Sequence, residues 1–453
     1  MRKQWFYKPK LKLSWWALNL IVGIILLVGV GILALPNQVR AGGSNMVFVP
    51  LVLQEFSNDL GGSHQTETPQ PTMTVGPSET PQPTGTPSVT SIPPQSGNYV
   101  VIGWNDLGMH CYDLEYSMMS VLPPFNNLWA QVVERGDPPR IVTAGVSVEY
   151  SFPDNTYSVG KTNFWDYAEK LWGVSLQPNV GLLGKGLAGE MDPSGDHFQA
   201  EGIPLTEFSD SAPSVPDYLQ MARLVAKDST TGEVLAQTDV VAPVSSEMRC
   251  DTCHNSPTSN FRMNVLLKHD DEEHTNLAAQ AQAGNPVMCA KCHNDPILNP
   301  YGIVGNPDLP SFSAAMHGQH REATSNCYSC HPGPSTKCLR GTMATDYNFT
   351  CTNCHVGGMQ AMARENRTPW HDEPRCGNCH GSQYAENQGT LYRLSTGHGG
   401  MYCESCHNST HAILPSREQN DNVQSIELQG YAGTIQECTV CHLTQPDSGG
   451  PHH

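Results

Sequence analysis

The stretch Trp370–His380, WHDEPRCGNCH, carries the pattern that organises the second half of this chain. It ends in two cysteines separated by two residues, and a histidine follows the second cysteine directly. Another histidine, His371, stands five positions before Cys376. The stretch HGGMYCESCH repeats the arrangement, because His398 lies five positions before Cys403. A repeated spacing of cysteines and histidines predicts a repeated cofactor or metal site.

The core of the pattern, Cys-x-x-Cys-His, occurs seven times and uses fourteen of the sixteen cysteines. This is the attachment motif of c-type haem, in which two thioethers hold the porphyrin and the histidine is the proximal iron ligand. The predicted thioether residues are Cys250, Cys253, Cys289, Cys292, Cys327, Cys330, Cys351, Cys354, Cys376, Cys379, Cys403, Cys406, Cys438 and Cys441. The predicted proximal ligands are His254, His293, His331, His355, His380, His407 and His442.

Structural zinc and redox-active disulfides are the two other common uses of Cys-x-x-Cys pairs. A zinc ribbon needs two such pairs for each metal ion and does not require a histidine after each pair. Here the number of pairs is odd, and every pair has its histidine. Redox disulfides suit enzymes with such a motif rather than a chain with seven copies. We therefore predict seven covalently bound haem c groups.

Residues 1–41 are predicted to direct the chain out of the cytoplasm. A basic segment precedes an apolar run from Ala17 to Leu35, and a small-residue cleavage pattern ends at Ala41. The run is also just long enough to span a bilayer, so the segment is either a cleaved signal peptide or a retained membrane anchor. Both alternatives predict an extracytoplasmic protein, secreted or at the cell surface, and limit membrane contact to this segment.

The rest of the chain divides into a linker and two domains by composition. Residues 42–98 form a predicted linker rich in Thr, Pro and Ser, which serves either as an extended stalk or as a simple spacer. Residues 99–248 contain no haem motif and predict a β-rich, sandwich-like domain. Residues 249–453 predict a multihaem cytochrome c domain with short helices and much irregular chain, because seven haems leave little polypeptide for a conventional core.

Alternation and helical spacing give the elements of the β-rich domain. AGVSVEYSF places Val146, Val148 and Tyr150 on one face of a strand, and MARLVAKD and EVLAQTDVVA flank STTG as a hairpin. NFWDYAEKLWG spaces its apolar residues as a helix does, and Asn163 and Gly173 are suited to cap its ends. We expect the aromatic side chains of this helix to lie in a core rather than in a cofactor site.

The sixth ligand of each iron decides the function, because an iron with two protein ligands transfers electrons and an open iron binds substrate. Outside the motifs, and leaving aside the terminal His452 and His453, the second domain has seven histidines. These distal candidates are His269, His274, His317, His320, His371, His398 and His411. Seven spare histidines for seven irons predict bis-histidine ligation throughout, although the sequence does not assign the pairs.

Other residues offer alternatives to this ligand set. The second domain also contains seven methionines, which serve as axial ligands in some cytochromes and as gap fillers against ring faces in others. His110 is a further candidate ligand from the first domain. Cys111 and Cys338 are the two cysteines outside the motifs, and they predict either a disulfide between the domains or two free thiols.

With its seven motifs, the second domain resembles the exported multihaem c-type cytochromes. The resemblance implies closely stacked haems that pass electrons to other cytochromes, to an extracellular acceptor or to a neighbouring copy in a filament. Some members are enzymes that reduce nitrogen or sulfur oxyanions, so an oxidoreductase with one open haem is the alternative. The Cys-x-x-Cys-Lys motif that some of those enzymes carry does not occur in this sequence.

Charge and domain organisation restrict the partners. The formal net charge of −18 is unsuited to nucleic acid and favours basic or cationic partners.

A third interpretation gives the β-rich domain a docking role, in which it attaches the cytochrome to a partner or to the next subunit of a filament. A docking domain needs only an exposed complementary patch, whereas an enzyme needs an open iron.

Overall fold

The computed structural model describes residues 97–255, 260–333, 335–364, 366–447 and 452. All of these residues belong to one compact unit. The predicted export segment, and all but the end of the predicted linker, lie outside the described residues. In the described part of the chain, no helix is both long enough and apolar enough to cross a membrane.

Strands concentrate between Tyr99 and Ser245, which confirms the prediction of a β-rich region. The strands are β1 (Tyr99–Trp104), β2 (His110–Cys111), β3 (Met119–Ser120), β4 (Asn126–Glu134), β5 (Arg140–Val142), β6 (Val146–Ser151), β7 (Ala188–Glu190), β8 (Asp192–Ser194), β9 (His197–Ile203), β10 (Leu219–Asp228), β11 (Val234–Ser245) and β12 (Val287–Met288). Two five-stranded sheets form the region, one in the order β1-β4-β9-β8 with β5 paired to β4, the other in the order β2-β11-β10-β6-β7. The short strands β3 and β12 pair with each other.

The predicted hairpin and the predicted alternating strand lie side by side in the second sheet. β10 and β11 pair antiparallel across the STTG turn, and β6 pairs antiparallel with the other edge of β10. Along β6 the side chains of Val148 and Tyr150 are buried, whereas Glu149 between them is exposed. Successive side chains of a strand point to opposite faces, so this alternation marks the face that packs on the core.

Both sheets contribute side chains to one apolar cluster. Leu128 and Phe198 come from the first sheet, and Leu224 and Val240 come from the second. Each is almost completely buried. Burying one such side chain stabilises the fold by about 1.5–3 kcal/mol. The two sheets therefore enclose a conventional protein core that requires no cofactor.

The predicted helix is α1 (Phe164–Trp172). Gly173 ends it in the left-handed conformation with φ of 72°, as predicted. Asn163 stands at its start, but the prediction that this side chain caps the helix is wrong. Its Oδ1 accepts a hydrogen bond from the backbone N–H of Tyr116 instead. Phe164 is buried against the ring of Tyr116, which confirms a core role for the aromatic residues.

From Cys250 onward the chain consists of short helices, 3-10 turns and irregular segments, as predicted. The longest of the described helices in this region has 13 residues. The helices are α2 (Phe261–Glu273), α3 (Leu277–Gln282), α4 (Phe312–His320), α5 (Thr342–Thr345), α6 (Cys351–Cys354), α7 (Gly358–Met362), α8 (Cys403–His407) and α9 (Val423–Gln429).

The two regions are joined by direct polar contacts. The guanidinium of Arg135 donates to the backbone carbonyls of Thr439 and Val440, each at 2.9 Å. The side-chain amide of Gln424 exchanges two hydrogen bonds with the backbone of Gly103, at 2.7 and 2.8 Å. Each contact links residues about 300 positions apart in sequence, so the β-rich region supports the end of the chain.

Candidate haem sites

All seven Cys-x-x-Cys-His motifs, numbered I to VII in chain order, adopt one turn of helix. In six of them the backbone N–H of the histidine donates to the carbonyl of the first cysteine at 2.8–2.9 Å. Motif VI is the helix α8 itself. Residues three and four apart lie on the same face of a helical turn, so both sulfurs and the imidazole of a motif point to the same side.

All sixteen cysteines lie in the described part of the chain, and all are free thiols. The first cysteine of every motif is half-buried, and the second is exposed in motifs I to V. Both sulfurs of each motif are thus available for a thioether bond. Among the residues that the structure describes, no group of three or more histidine, cysteine or acidic side chains is placed to hold a metal ion.

Six of the seven motif imidazoles lie opposite a second imidazole. The distances between ring centroids fall in the narrow interval from 5.8 to 6.4 Å. The pairs, motif histidine first, are His254 with His320 at 6.1 Å, His293 with His269 at 6.3 Å, His331 with His317 at 5.9 Å, His355 with His411 at 6.4 Å, His407 with His452 at 5.8 Å and His442 with His398 at 6.1 Å.

This spacing fits a metal ion shared by two imidazoles. An ion bonded at about 2 Å to one nitrogen of each ring holds the two ring centroids roughly 6 Å apart. Two imidazoles alone supply two ligands, and a porphyrin supplies the other four of a six-coordinate iron. The pairs therefore have the donor set and the separation that bis-histidine haem requires.

Hydrogen bonds orient the paired rings through Nδ1. Eight of the twelve rings have an Nδ1 contact, at distances from 2.7 to 3.6 Å. The partners are Asn264 Oδ1 for His254, Thr275 Oγ1 for His269, the Pro310, Ser313 and Met316 carbonyls for His293, His317 and His320, Thr434 Oγ1 for His407, Cys338 Sγ for His411 and Asp137 Oδ1 for His442.

The backbone acceptors fix the tautomer of three of these rings. A carbonyl oxygen can only accept, so Nδ1 of His293, His317 and His320 carries the proton. The lone pair of each neutral ring is then on Nε2, the atom that remains for the metal. Iron-binding histidines ordinarily donate their second ring N–H in this way, and the hydrogen bond sets the ring orientation.

Burial keeps several paired imidazoles neutral. Burial first, and the charges of neighbouring histidines after it, lower the pKa of His331 and of His355 to about 4. Burial also lowers the pKa of His317, His407 and His411. Removing an imidazole from water disfavours its charged form. These rings are therefore in the form that binds a metal at neutral pH.

Motif V differs from the other six. Within the described residues, His380 lies opposite no second imidazole, and neither do the two remaining distal candidates, His274 and His371. All three side chains are exposed. His371 and His398 share a five-residue offset from the next motif, but only His398 lies opposite a motif histidine. Equal spacing in sequence did not give these two histidines equal positions.

His452 is the one paired histidine that was not among the candidates. Its terminal position made it an unexpected partner, yet its ring lies 5.8 Å from that of His407. The sequence did hold a signal for this role, because His452 lies close to motif VII and any histidine near a haem motif is a candidate ligand. His110, by contrast, is buried against Phe125, and its Nε2 hydrogen-bonds the Pro123 carbonyl at 2.9 Å. It is a core residue in this structure.

Cys111 and Cys338 form no disulfide in the structure. Burial raises the pKa of the Cys111 thiol, and the charge of Cys338 raises it further. Cys338 Sγ lies 3.6 Å from Nδ1 of His411. The free thiol of Cys338 thus lies against a distal histidine.

Two further features fit a bound haem. The Nε atoms of Arg367 and Arg393 are buried and have no acceptor among the described residues, so carboxylates such as haem propionates suit these positions. Val356 and Leu443, which follow the histidines of motifs IV and VII, are 76% and 62% exposed. Apolar side chains this exposed beside an attachment motif are surfaces that a porphyrin would cover. The residues of the sites therefore fit haem c.

Comparison with known proteins found no family model, no curated protein and no solved structure that matches this chain. The candidate sites therefore depend on the motif sequence and on the geometry described above. Neither depends on likeness to another protein.

Proposed function

We propose that this chain is an extracytoplasmic heptahaem c-type cytochrome that carries electrons along a series of bis-histidine haems. The observation that carries the proposal is the pairing of six motif imidazoles with a second imidazole at 5.8–6.4 Å. Haem bound by two such imidazoles would supply electron transfer, because no position would remain for a substrate.

The residues of the chain have distinct parts in this function. The haem supplies the redox chemistry when it is bound, and the protein supplies position, ligands and surroundings. The motif cysteines would fix the porphyrin by two bonds, and the paired imidazoles would be the protein ligands of its iron. Acceptors such as the Ser313 carbonyl, 2.7 Å from His317 Nδ1, keep the ring in one orientation.

The partner in this proposal is another cytochrome, an extracellular electron acceptor or a second copy of the chain in a filament. The formal charge of −18 favours a basic contact surface on the partner. The β-rich region has its own core and serves as the support and the docking part of the molecule. Export through the N-terminal segment places the electron transfer in respiration or at the cell surface.

One observation favours a second function, that of an oxidoreductase with one open haem. His380 of motif V has no imidazole opposite it among the described residues. An iron held there by His380 alone would bind a small nitrogen or sulfur oxyanion on its free side. Motif V is therefore the place at which the two functions can be told apart.

Haem quantification by pyridine haemochrome, combined with low-temperature EPR of the oxidised protein, tests both functions. Seven haems per chain, with at least six low-spin, are expected. A low-spin signal for all seven supports the electron carrier, whereas one high-spin haem per chain supports the oxidoreductase. A protein without covalent haem, or with high-spin signals from several haems, overturns the main proposal.

A matched pair of variants assigns the high-spin signal. Replacing both cysteines of motif V, Cys376→Ala with Cys379→Ala, is expected to remove it. The same change in motif VII, Cys438→Ala with Cys441→Ala, is expected to leave it. If the signal survives in the first variant, the open haem belongs to another motif.

A further inference from the structure

Helix α2 connects motifs I and II. Asn264 Oδ1, in its first half, accepts the Nδ1–H of His254 of motif I at 3.2 Å. Five residues later, His269 lies opposite His293 of motif II at 6.3 Å. An α-helix rises 1.5 Å per residue, so the two contacts are separated by roughly 8 Å along its axis. One short length of helix thus holds ligands of both motifs.

Helix α4 connects motif I to motif III in the same way. His317 lies opposite His331 of motif III, and His320 lies opposite His254 of motif I. The two distal histidines are three residues apart, which is less than one turn and about 4.5 Å along the axis. Each ring is tied to the carbonyl four residues before it, so neither is free to turn to another motif.

Motif I therefore has a neighbour on each side. Its histidine is supported by α2, which also serves motif II, and is faced by α4, which also serves motif III.

Motifs VI and VII are also neighbours. Cys406 of motif VI and Cys441 of motif VII pack against the same apolar cluster around Ile435 and Val440. His398, which precedes motif VI, lies opposite His442 of motif VII. Motif VII is therefore joined to the other motifs through motif VI, well away in sequence from motifs I to III.

Building on the function proposed above, we infer that haem I lies between haems II and III, so that these three haems are ordered II–I–III. The first two haems are exchanged relative to their order in the sequence. Electrons that pass between haem II and the rest of the molecule then pass through haem I.

An electron injected at motif VII tests this order, because it can reach haem II only through haem I. A ruthenium photosensitiser is attached to the full haem-loaded chain through Leu443→p-azidophenylalanine. His269→Met then marks haem II, because a methionine ligand raises the potential and changes the absorption spectrum. Transient absorption follows arrival of the electron at the marked haem. When haem I is removed by Cys250→Ala with Cys253→Ala, arrival is expected to be lost.

In the matched control, the marked haem and the removed haem change roles. His320→Met marks haem I, and Cys289→Ala with Cys292→Ala removes haem II; arrival at haem I is expected to be unchanged. The reverse pattern, or arrival at haem II without haem I, overturns the proposed order. Each deletion variant must retain six haems. If neither folds, the iron positions in a cryo-EM map of the loaded protein decide, since iron I must lie between irons II and III.

This test separates the order of the haems from the function. A parent protein with seven low-spin haems and a reversed arrival pattern overturns the order and leaves the electron carrier intact. A parent protein without covalent haem overturns the proposed function first.

Discussion

The role of a histidine in this protein depends on which ring nitrogen is hydrogen-bonded. His317 engages the Ser313 carbonyl through Nδ1, which leaves Nε2 for a metal. His110 engages the Pro123 carbonyl through Nε2 and is buried against Phe125. The same residue type is thus a candidate ligand in one place and a core side chain in the other. Counting histidines in the sequence treats both alike.

Removing one paired distal histidine should open one haem. In His320→Ala the iron of motif I would lose the ring that lies opposite His254, so one high-spin haem more than in the parent is expected in the EPR spectrum. His274→Ala is the control, because the exposed His274 ring lies opposite no imidazole in the described part of the chain. Equal spectra for the two variants would contradict the pairing.

His110 should make stability depend on pH. Burial lowers the pKa of His110 from 6.5 to about 3, so between these values the unfolded chain binds a proton that the folded chain does not. As the pH falls through this window, the free energy of unfolding is expected to decrease by about 1.4 kcal/mol per pH unit from this residue. Denaturant unfolding measures the free energy of unfolding of His110→Gln and of the parent. The difference between the two values should become smaller as the pH falls.

The matched control for His110 is the exposed His274. The difference between His274→Gln and the parent is expected to remain constant over the same pH range. If the difference for His110→Gln were also constant, the folded and unfolded chains would bind this proton equally well. That result would contradict the lowered pKa of His110.

At the scale of elements, short pieces of chain are held in place by a few strong contacts rather than by long helices. The segment that carries His411 is an example. The backbone N–H groups of Arg340 and Gly341 both donate to the His411 carbonyl, at 2.9 and 3.1 Å. The guanidinium of Arg340 in turn forms a bidentate pair with Asp421, at 2.7 and 2.8 Å. Both side chains are almost fully buried.

Replacing the buried arginine should be costly. Arg340→Met leaves the Asp421 carboxylate buried without its partner, and the expected loss is about 3–5 kcal/mol in the free energy of unfolding. The exposed pair of Arg140 and Glu134 provides the control, and Arg140→Met is expected to cost far less, because solvent screens an exposed ion pair. Denaturant titration measures both, and a small loss for Arg340→Met would refute a structural role for the buried pair.

At the scale of the whole molecule, the two regions are stabilised by different means. The two sheets enclose a core of fully buried apolar side chains. The region after Cys250 has smaller apolar clusters, and large side chains such as Val356, Tyr347 and Leu443 are more than 60% exposed. Seven haems with their covalent bonds would supply much of the buried apolar surface that this region lacks.

The region after Cys250 should therefore depend on haem attachment. In protein produced without haem attachment, limited proteolysis is expected to cut this region rapidly and to leave a resistant fragment close to residues 99–245. In the haem-loaded protein both regions are expected to resist. Mass spectrometry of the fragments distinguishes the cases, and equal resistance of both regions without haem would contradict the prediction.

The sequence by itself determined the local features of this protein. The seven Cys-x-x-Cys-His motifs can be recognised in the sequence because the two cysteines and the histidine of each motif lie within a single turn of the chain. The strands around Tyr150, the hairpin β10–β11 and helix α1 follow from alternation, turn residues and helical spacing, which are properties of neighbouring residues. Gly173 was predictable for the same reason, since a left-handed residue ends a helix locally.

The tertiary structure alone decided which histidines meet. His254 lies opposite His320, with motif II between them in sequence, and His355 lies opposite His411, with two motifs between them. Nothing in local spacing encodes such pairs, because they depend on where separate segments come together in the folded chain. The same holds for the side chain of Asn163, which bonds the distant Tyr116 instead of its own helix, and for His452, which gains a partner only once the chain end lies beside His407.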